Sequence, residues 1–370
     1  MKKITLTLVA AGCLGLLAET ALAASVQMYG RVDNGVYFTN VKKGGTTTKS
    51  LTMESGMGGA SRWGIKATSD EIAQGWTVSM KLEGKIGTDT GEMGTSGTIF
   101  DRESSIIVAS PYGKLQFGRL GYLHGGVTGG IIAGQTNPFG VIYKQCGAQN
   151  VFLNAAARTP NTIRYETPNY SGLTLIGQWC NSVKDEEEGN ALPNRQRYFG
   201  IGANYRNGPL RIAAVYGTMF YSRDAKTSRN AVEDDEHSYS ISGNYNFGPA
   251  KVFAGYQYGE NLSKNTSLMG TKILGAKTHN MIAGVSAPVA GGTLMFATAY
   301  VKGKDGTSTA RNDFVKQDAY QFALGYKYNF SKKTALYTAT SYRNVKATKK
   351  SGAEQRTKTF ALMAGLGVNF

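Results

Sequence analysis

The chain ends Phe360-Ala361-Leu362-Met363-Ala364-Gly365-Leu366-Gly367-Val368-Asn369-Phe370. Every second residue from Phe360 to Phe370 is apolar, and all but one of those between are small or polar. A period of two places one set on each face of a β-strand. Working back along the chain, the same pattern recurs. Tyr320, Phe322, Leu324, Tyr326 and Tyr328 alternate with Gln321, Ala323, Gly325 and Lys327; Tyr239, Ile241 and Tyr245 alternate with Ser238, Ser240, Ser242 and Asn244; Trp76, Val78, Met80 and Leu82 alternate with Thr77, Ser79, Lys81 and Glu83. A one-residue slip would turn charge towards the apolar side, at about 2–4 kcal/mol for a Lys or Arg at a bilayer midplane, so the pattern fixes which face is which.

The first residues read as an export signal. Lys2 and Lys3 are followed by an apolar run from Ile4 to Leu17, and Ala21-Leu22-Ala23 fits the small-x-small rule, which places cleavage after Ala23. Ala11-Gly12-Cys13 offers a lipoprotein box as a rival, but apolar residues continue past Cys13. Beyond this segment no stretch approaches the ~20 apolar residues a membrane helix needs. Mean hydropathy is −0.27, a value that strands with one lipid face and one wet face can share with soluble proteins. Together these features predict an all-β, transmembrane antiparallel β-barrel, lipid outside and water inside.

Connections alternate in length. Ser69–Gly75, Ser110–Gly113, Thr167–Gly172, Arg206–Pro209, Phe247–Pro249, Ala287–Gly292 and Asn329–Lys333 have the composition of tight turns. Asn40–Gly59, Asp89–Gly97, Val183–Gln196, Ser222–Glu236, Asn261–Ala276, Lys304–Val315 and Ala347–Glu354 are long and polar. Counting between them gives about 16 strands, an even number with both termini on the short-turn, periplasmic side. One barrel spans 24–370, with no domain boundary. A barrel of ~16 strands leaves a lumen that wall side chains cannot fill. The longest connection, Leu120–Pro160, is therefore expected to fold inward as a constriction loop.

Net charge is +16. Nucleic-acid binding is the usual reading of such a balance, but an exported chain with scattered cations argues for a basic channel lining instead. Cys146 and Cys180 share an oxidising compartment; they pair as a disulfide or stay as two buried thiols. The acidic runs Asp185–Glu188 and Glu233–Glu236 are placed on outer loops, and Tyr245, Phe247, Tyr328 and Phe330 in an aromatic girdle. His124, His237 and His279 show neither metal spacing nor a nucleophile motif, so no enzyme activity, metal or cofactor is expected.

Several segments in order resemble the general porins of the Gram-negative outer membrane, nearest the beta-proteobacterial branch. These are Ser25-Val26-Gln27-Met28-Tyr29-Gly30-Arg31-Val32-Asp33; Ser61-Arg62-Trp63-Gly64-Ile65-Lys66 with Asp70 and Gly75; Phe100-Asp101-Arg102; Gly113-Lys114-Leu115-Gln116-Phe117-Gly118-Arg119; Arg158 with Ile163, Tyr165, Pro168 to Gly172; and the strand ending at Phe370, similar to the family's assembly signal. The resemblance implies an outer-membrane homotrimer, folded by the barrel-assembly machinery among outer-membrane lipids and lipopolysaccharide, that passes small hydrophilic solutes and ions by diffusion. It puts the constriction arginines at Arg62, Arg102 and Arg158, with Arg31 and Arg119 nearby. Asn137-Pro138-Phe139-Gly140 resembles the family's Pro-Glu-Phe-Gly turn without its carboxylate, and no Asp or Glu lies between Leu120 and Asn161. Arg62, Lys66 and Arg102 lie in the wet phase of their strands, and the loop adds Lys144. The expectation is an anion-preferring pore; the alternative is a substrate-selective channel for anionic nutrients on the same barrel.

Overall fold

A computed structural model describes residues 25–69, 71–95, 97–147, 151–152, 157–184, 195–221, 234–262, 273, 275–305 and 313–370. The expected export signal and the acidic run Asp185–Glu188 lie outside them. Sixteen strands form the wall. They are β1 (Ser25–Lys43), β2 in two pieces (Thr46–Ser55 and Arg62–Thr68), β3 (Thr77–Gly87), β4 (Glu103–Ser110), β5 (Gly113–Gly121), β6 (Arg158–Glu166), β7 (Leu173–Cys180) and β8 (Arg197–Asn207). There follow β9 (Leu210–Phe220), β10 (Glu236–Asn246), β11 (Lys251–Leu262), β12 (Ala276–Val289), β13 (Gly292–Asp305), β14 (Phe314–Asn329), β15 (Thr334–Lys349) and β16 (Glu354–Asn369). Each pairs antiparallel with its chain neighbours, and β1 pairs with β16 from Arg31↔Asn369 to Lys43↔Thr357, closing the sheet. Closure removes the sheet edges that a bilayer would leave unpaired. No described helix is long and apolar enough to cross a membrane; strands do the crossing.

The alternation read from the sequence sorts as expected. Ile241, Phe296, Phe322, Leu324, Leu336, Leu362 and Leu366 are exposed on the outside, while their neighbours face in. So broad an apolar belt suits lipid, not water. At the short-turn end Tyr245 packs on Phe247 at 4.6 Å and Tyr328 on Phe330 at 5.2 Å, the girdle expected there. Three connections differ from expectation. Most of Asn40–Gly59 is strand: β1 turns through Gly44-Gly45 and returns as Thr46–Ser55 in register with it, and β15 and β16 likewise run to Lys349 and from Glu354. The uninterrupted polar run Thr46–Ser50 and the Lys- and Thr-rich composition conceal this β-pairing. Glu236, expected in an outer loop, opens β10; it is buried and accepts the Tyr221 hydroxyl at 2.9 Å.

Between β5 and β6 the chain turns into the barrel. Its apolar residues Phe139, Tyr143, Cys146, Val151 and Phe152 pack with Met57 on the inner wall. The inward positions there are small: Ala297, Ala299, Ala319, Ala323, Ala339 and Ala361. Small residues let the loop lie flush, and Gly325 marks a close fit, since a Cβ there would stand 2.6 Å from the Phe139 ring. Wall side chains tie the loop's backbone: Gln321 and Ser341 donate to the Gln145 carbonyl, the latter at 2.8 Å, and Asn244 donates to the Gln135 carbonyl at 3.1 Å. The lumen is thereby divided into one half covered by loop and one half left open.

Candidate functional site

The open half is where the charged inward residues of β1 to β6 lie. On β3, Glu83 is buried between two cations: the Arg102 Nε donates to Oε1 at 2.6 Å, and the Arg62 Nε stands 3.3 Å from Oε2. Tyr29 donates its hydroxyl to Oε2 at 3.0 Å. Two positions before, Lys81 donates to Glu103 at 2.6 Å. At the β1–β16 seam Arg31 donates to Asp33 at 2.7 Å, and Asp33 also accepts Tyr337 at 2.6 Å and the Gly58 amide at 3.0 Å. Asp33 thus ties three elements, and Gly56–Ser61, the break in β2, turns in beneath it. From the loop, Lys144 donates to Glu54 at 2.8 Å.

These groups surround a cavity of about 580 Å³. Seven cations line it (Arg31, Arg62, Lys81, Arg102, Lys144, Arg158 and Lys327) against one carboxylate, Glu83, with Gly126, Val127, Thr128, Val141 and Ile142 of the loop opposite. Sheet and loop together bring Arg62, Arg102, Arg158, Arg31 and Lys144 into this lining, as the sequence groups them. They do not bring Arg119 or Lys66 among the lining residues. Arg119 sits at a bulge in the β5–β6 register, and its Nε donates to the Asp101 carbonyl at 2.7 Å. Lys66 is exposed and stands opposite Lys81 in register without lining the cavity. Lys81 and Lys327 were not among the residues expected to line the pore. Both occupy the wet phase of their strands, which was a usable signal. Lys327 comes from β14, on the far side of the barrel seam, so only closure makes it a neighbour of Arg31.

Buried loop groups hold the cavity's other wall. His124 is fully enclosed, its Nε2 2.8 Å from the Ser238 hydroxyl and its Nδ1 3.3 Å from that of Ser240. Burial pushes its pKa down to about 4, with no charged neighbour contributing. Arg164, inside β6, donates to the Gly121 carbonyl at 2.6 Å and to Gln178 at 2.7 Å, fixing the point where the loop leaves the wall. Cys146 and Cys180 are thiols buried in separate apolar clusters, so the disulfide alternative between them is not formed. Each has its own surroundings: Cys146 lies among loop and alanine side chains, and the Cys180 thiol donates to the Pro160 carbonyl at 3.0 Å.

The sequence matches the Gram-negative porin family over residues 5–348. It is 28% identical over 380 residues to an outer membrane porin protein of Bordetella pertussis, covering 92% of this chain and 94% of that one. It is also 28% identical over 343 residues to outer membrane porin protein 32 of Delftia acidovorans, covering 91% and 88%. Among solved structures it superposes on an anion-selective porin from Comamonas acidovorans with a TM-score of 0.66 at 22% identity, over 94% of this chain and all (100%) of that one. That superposition shows a shared barrel.

Proposed function

This chain belongs to the Gram-negative porin family and resides in the outer membrane, and we propose that its channel prefers anions and narrows at the Arg31–Arg62–Arg102–Arg158 wall facing the inward loop. One observation carries the reading: the cavity between wall and loop has seven cations and a single carboxylate. Glu83 is shared by Arg62 and Arg102, and Asp33, Glu103 and Glu54, outside the lining, pair with Arg31, Lys81 and Lys144, so cations still outnumber these carboxylates seven to four. The loop contributes no Asp or Glu from Leu120 to Asn161 and adds Lys144. A low-dielectric wall lined with one sign of charge focuses its field into the opening and raises the local concentration of the opposite ion. That the related porin from Comamonas acidovorans is anion-selective fits the same reading.

The residues proposed to set selectivity are Arg62, Arg102 and Arg158, with Arg31, Lys81, Lys144 and Lys327 adding to the field. The assembly is proposed to be a homotrimer, as the family resemblance implies. Reversal potentials across a planar bilayer in a salt gradient test selectivity. The expected sign is that of anion flow, reduced when Arg62, Arg102 and Arg158 are all replaced by Gln. Cation preference in the parent channel would overturn the proposal. Unchanged selectivity in the triple variant would remove these three from the role.

A further inference from the structure

A second cavity, of about 370 Å³, lies between the inner face of β3 to β6 and the root of the loop. Lys81 and Thr128 line both cavities, so the two adjoin. Lys114 follows the turn Ser110–Gly113, and Glu166 precedes the turn Thr167–Gly172, which sets this cavity nearer the periplasmic end than the first. Its charges are also of another kind. Three cations line it, Lys81, Lys114 and Arg164, together with two carboxylates, Glu103 and Glu166.

The two carboxylates are held differently. Glu103 is buried and fixed: it accepts Lys81 at 2.6 Å, Gln116 at 3.2 Å and Ser105 at 3.2 Å. Glu166 and Lys114 are register partners 3.3 Å apart, with side chains 35% and 57% exposed. A hydrated pair of this kind contributes little and parts readily. Arg164 has no carboxylate. It is 4% exposed and donates only to neutral acceptors, the Gly121 and Thr128 carbonyls and Gln178, with no salt bridge among the described residues. Its Nη1 makes only the Thr128 contact, at 3.4 Å. A Cβ on Gly129 would collide with this nitrogen, so the glycine leaves it room. A buried guanidinium without a counter-charge is costly, and this one lines a cavity. With Lys81–Glu103 and Lys114–Glu166 each neutral as a pair, the lining carries one positive charge in excess.

We propose that this lower cavity binds an acidic amino acid, with its α-carboxylate on Arg164, its ammonium on Glu166 and its second carboxylate on Lys114. Such a molecule has two negative charges and one positive, so it cancels the excess charge of the lining and leaves no group unpaired. It enters between Lys114 and Glu166 and takes over both halves of that loose pair. A dicarboxylate without an ammonium pairs with the two cations and leaves Glu166 alone. A simple zwitterion pairs with Arg164 and Glu166 and leaves Lys114 alone. Charge-assisted hydrogen bonds at three points supply the recognition. The inference rests on the lumen being open to solutes, and not on the ion preference set at the first cavity.

The experiment records single channels in a planar bilayer in potassium chloride and titrates L-aspartate, succinate or L-alanine on both sides, reading interruptions of the current. Succinate has both carboxylates and no ammonium; L-alanine has the zwitterion and no second carboxylate. Aspartate is expected to act at concentrations on the order of tenfold lower than either, the worth of one hydrogen bond to a charged group. Glu166→Gln should bring aspartate level with succinate, and Lys114→Gln should bring it level with alanine. Each comparison is a ratio within one channel, so a change in conductance does not enter it. Equal action of aspartate and succinate on the parent overturns the proposal, as does a parent current that aspartate never interrupts. Parental ratios in both variants overturn it as well, because the binding would then lie elsewhere in the lumen. A parent that prefers cations in a salt gradient yet keeps the aspartate preference would sink the selectivity reading and leave this one standing.

Discussion

Gly30 and Phe370 exchange both backbone hydrogen bonds, Gly30 N to Phe370 O at 3.2 Å and Phe370 N to Gly30 O at 3.1 Å, at the seam where the last strand meets the first. The Phe370 ring covers the glycine: a Cβ on Gly30 would stand 2.2 Å from it and 2.8 Å from the Arg62 carbonyl. The terminal residue therefore completes the barrel as well as ending it. Gly30→Ala should force the ring or the seam to shift, at about 1–3 kcal/mol by analogy with overpacked cores. The expected result is a lower urea midpoint and a smaller heat-modifiable fraction on electrophoresis. A parental midpoint would mean the seam yields freely.

Glu83 is the one carboxylate lining the cavity and touches both Arg62 and Arg102. Glu83→Gln keeps the shape and removes the negative charge. The zero-current potential should move further towards anion selectivity, more so at 0.1 M salt, where the Debye length is ~10 Å, than at 1 M, where it is ~3 Å. A shift towards cations would contradict the assignment of this wall as the selectivity determinant.

His124 latches the loop to Ser238 and Ser240 while neutral. Its pKa in the fold is about 4, below the ordinary 6.5, because burial penalises the imidazolium. The unfolded or undocked chain then binds the extra proton between those values. The latch's contribution is complete above about pH 6.5, falls as pH drops through the window, and changes no further below about 4. Single-channel recordings from pH 7.5 to 4 should show current noise growing through that window in the parent. His124→Gln should lack this dependence. A parent equally quiet at pH 4.5 and 7.5 would exclude the latch as an acid-sensitive contact.

Phe139 anchors the loop tip, almost wholly buried against Gly325 and Tyr143. Phe139→Ala should cost about 3–5 kcal/mol of packing. That loss should appear mainly in loop docking, as larger and noisier conductance, since the β-ladder does not depend on this ring. Conductance and noise equal to the parent would show that the backbone ties from Gln321, Ser341 and Asn244 suffice.

Cys146 and Cys180 should both be alkylated after unfolding without reductant, giving two adducts by mass spectrometry. In the native protein Cys146 should resist the reagent, because burial raises its thiol pKa to about 12 and leaves almost no thiolate at neutral pH. One adduct or none after unfolding would show a bond that the fold does not contain.

The sequence alone determined the wall. Its period of two, its seven short turns and its terminal aromatic strand are local properties, since a strand's two faces are set by its own neighbours in the chain. They yielded the strand count, the lipid side, the wet side and the loop with room to enter. Strands hidden in Asn40–Gly59 escaped because Thr46 to Ser50 are polar at every position and carry no period. Only the tertiary structure decided who meets across the lumen. It joined Lys327 to Arg31, set Arg119 and Lys66 apart from the cavity, separated the two cysteines and buried His124 against serines 114 and 116 positions away. The physical reason is that such encounters depend on closure and on the stagger between strands, which fix distances between residues remote in the chain, whereas inside or outside is settled one residue at a time.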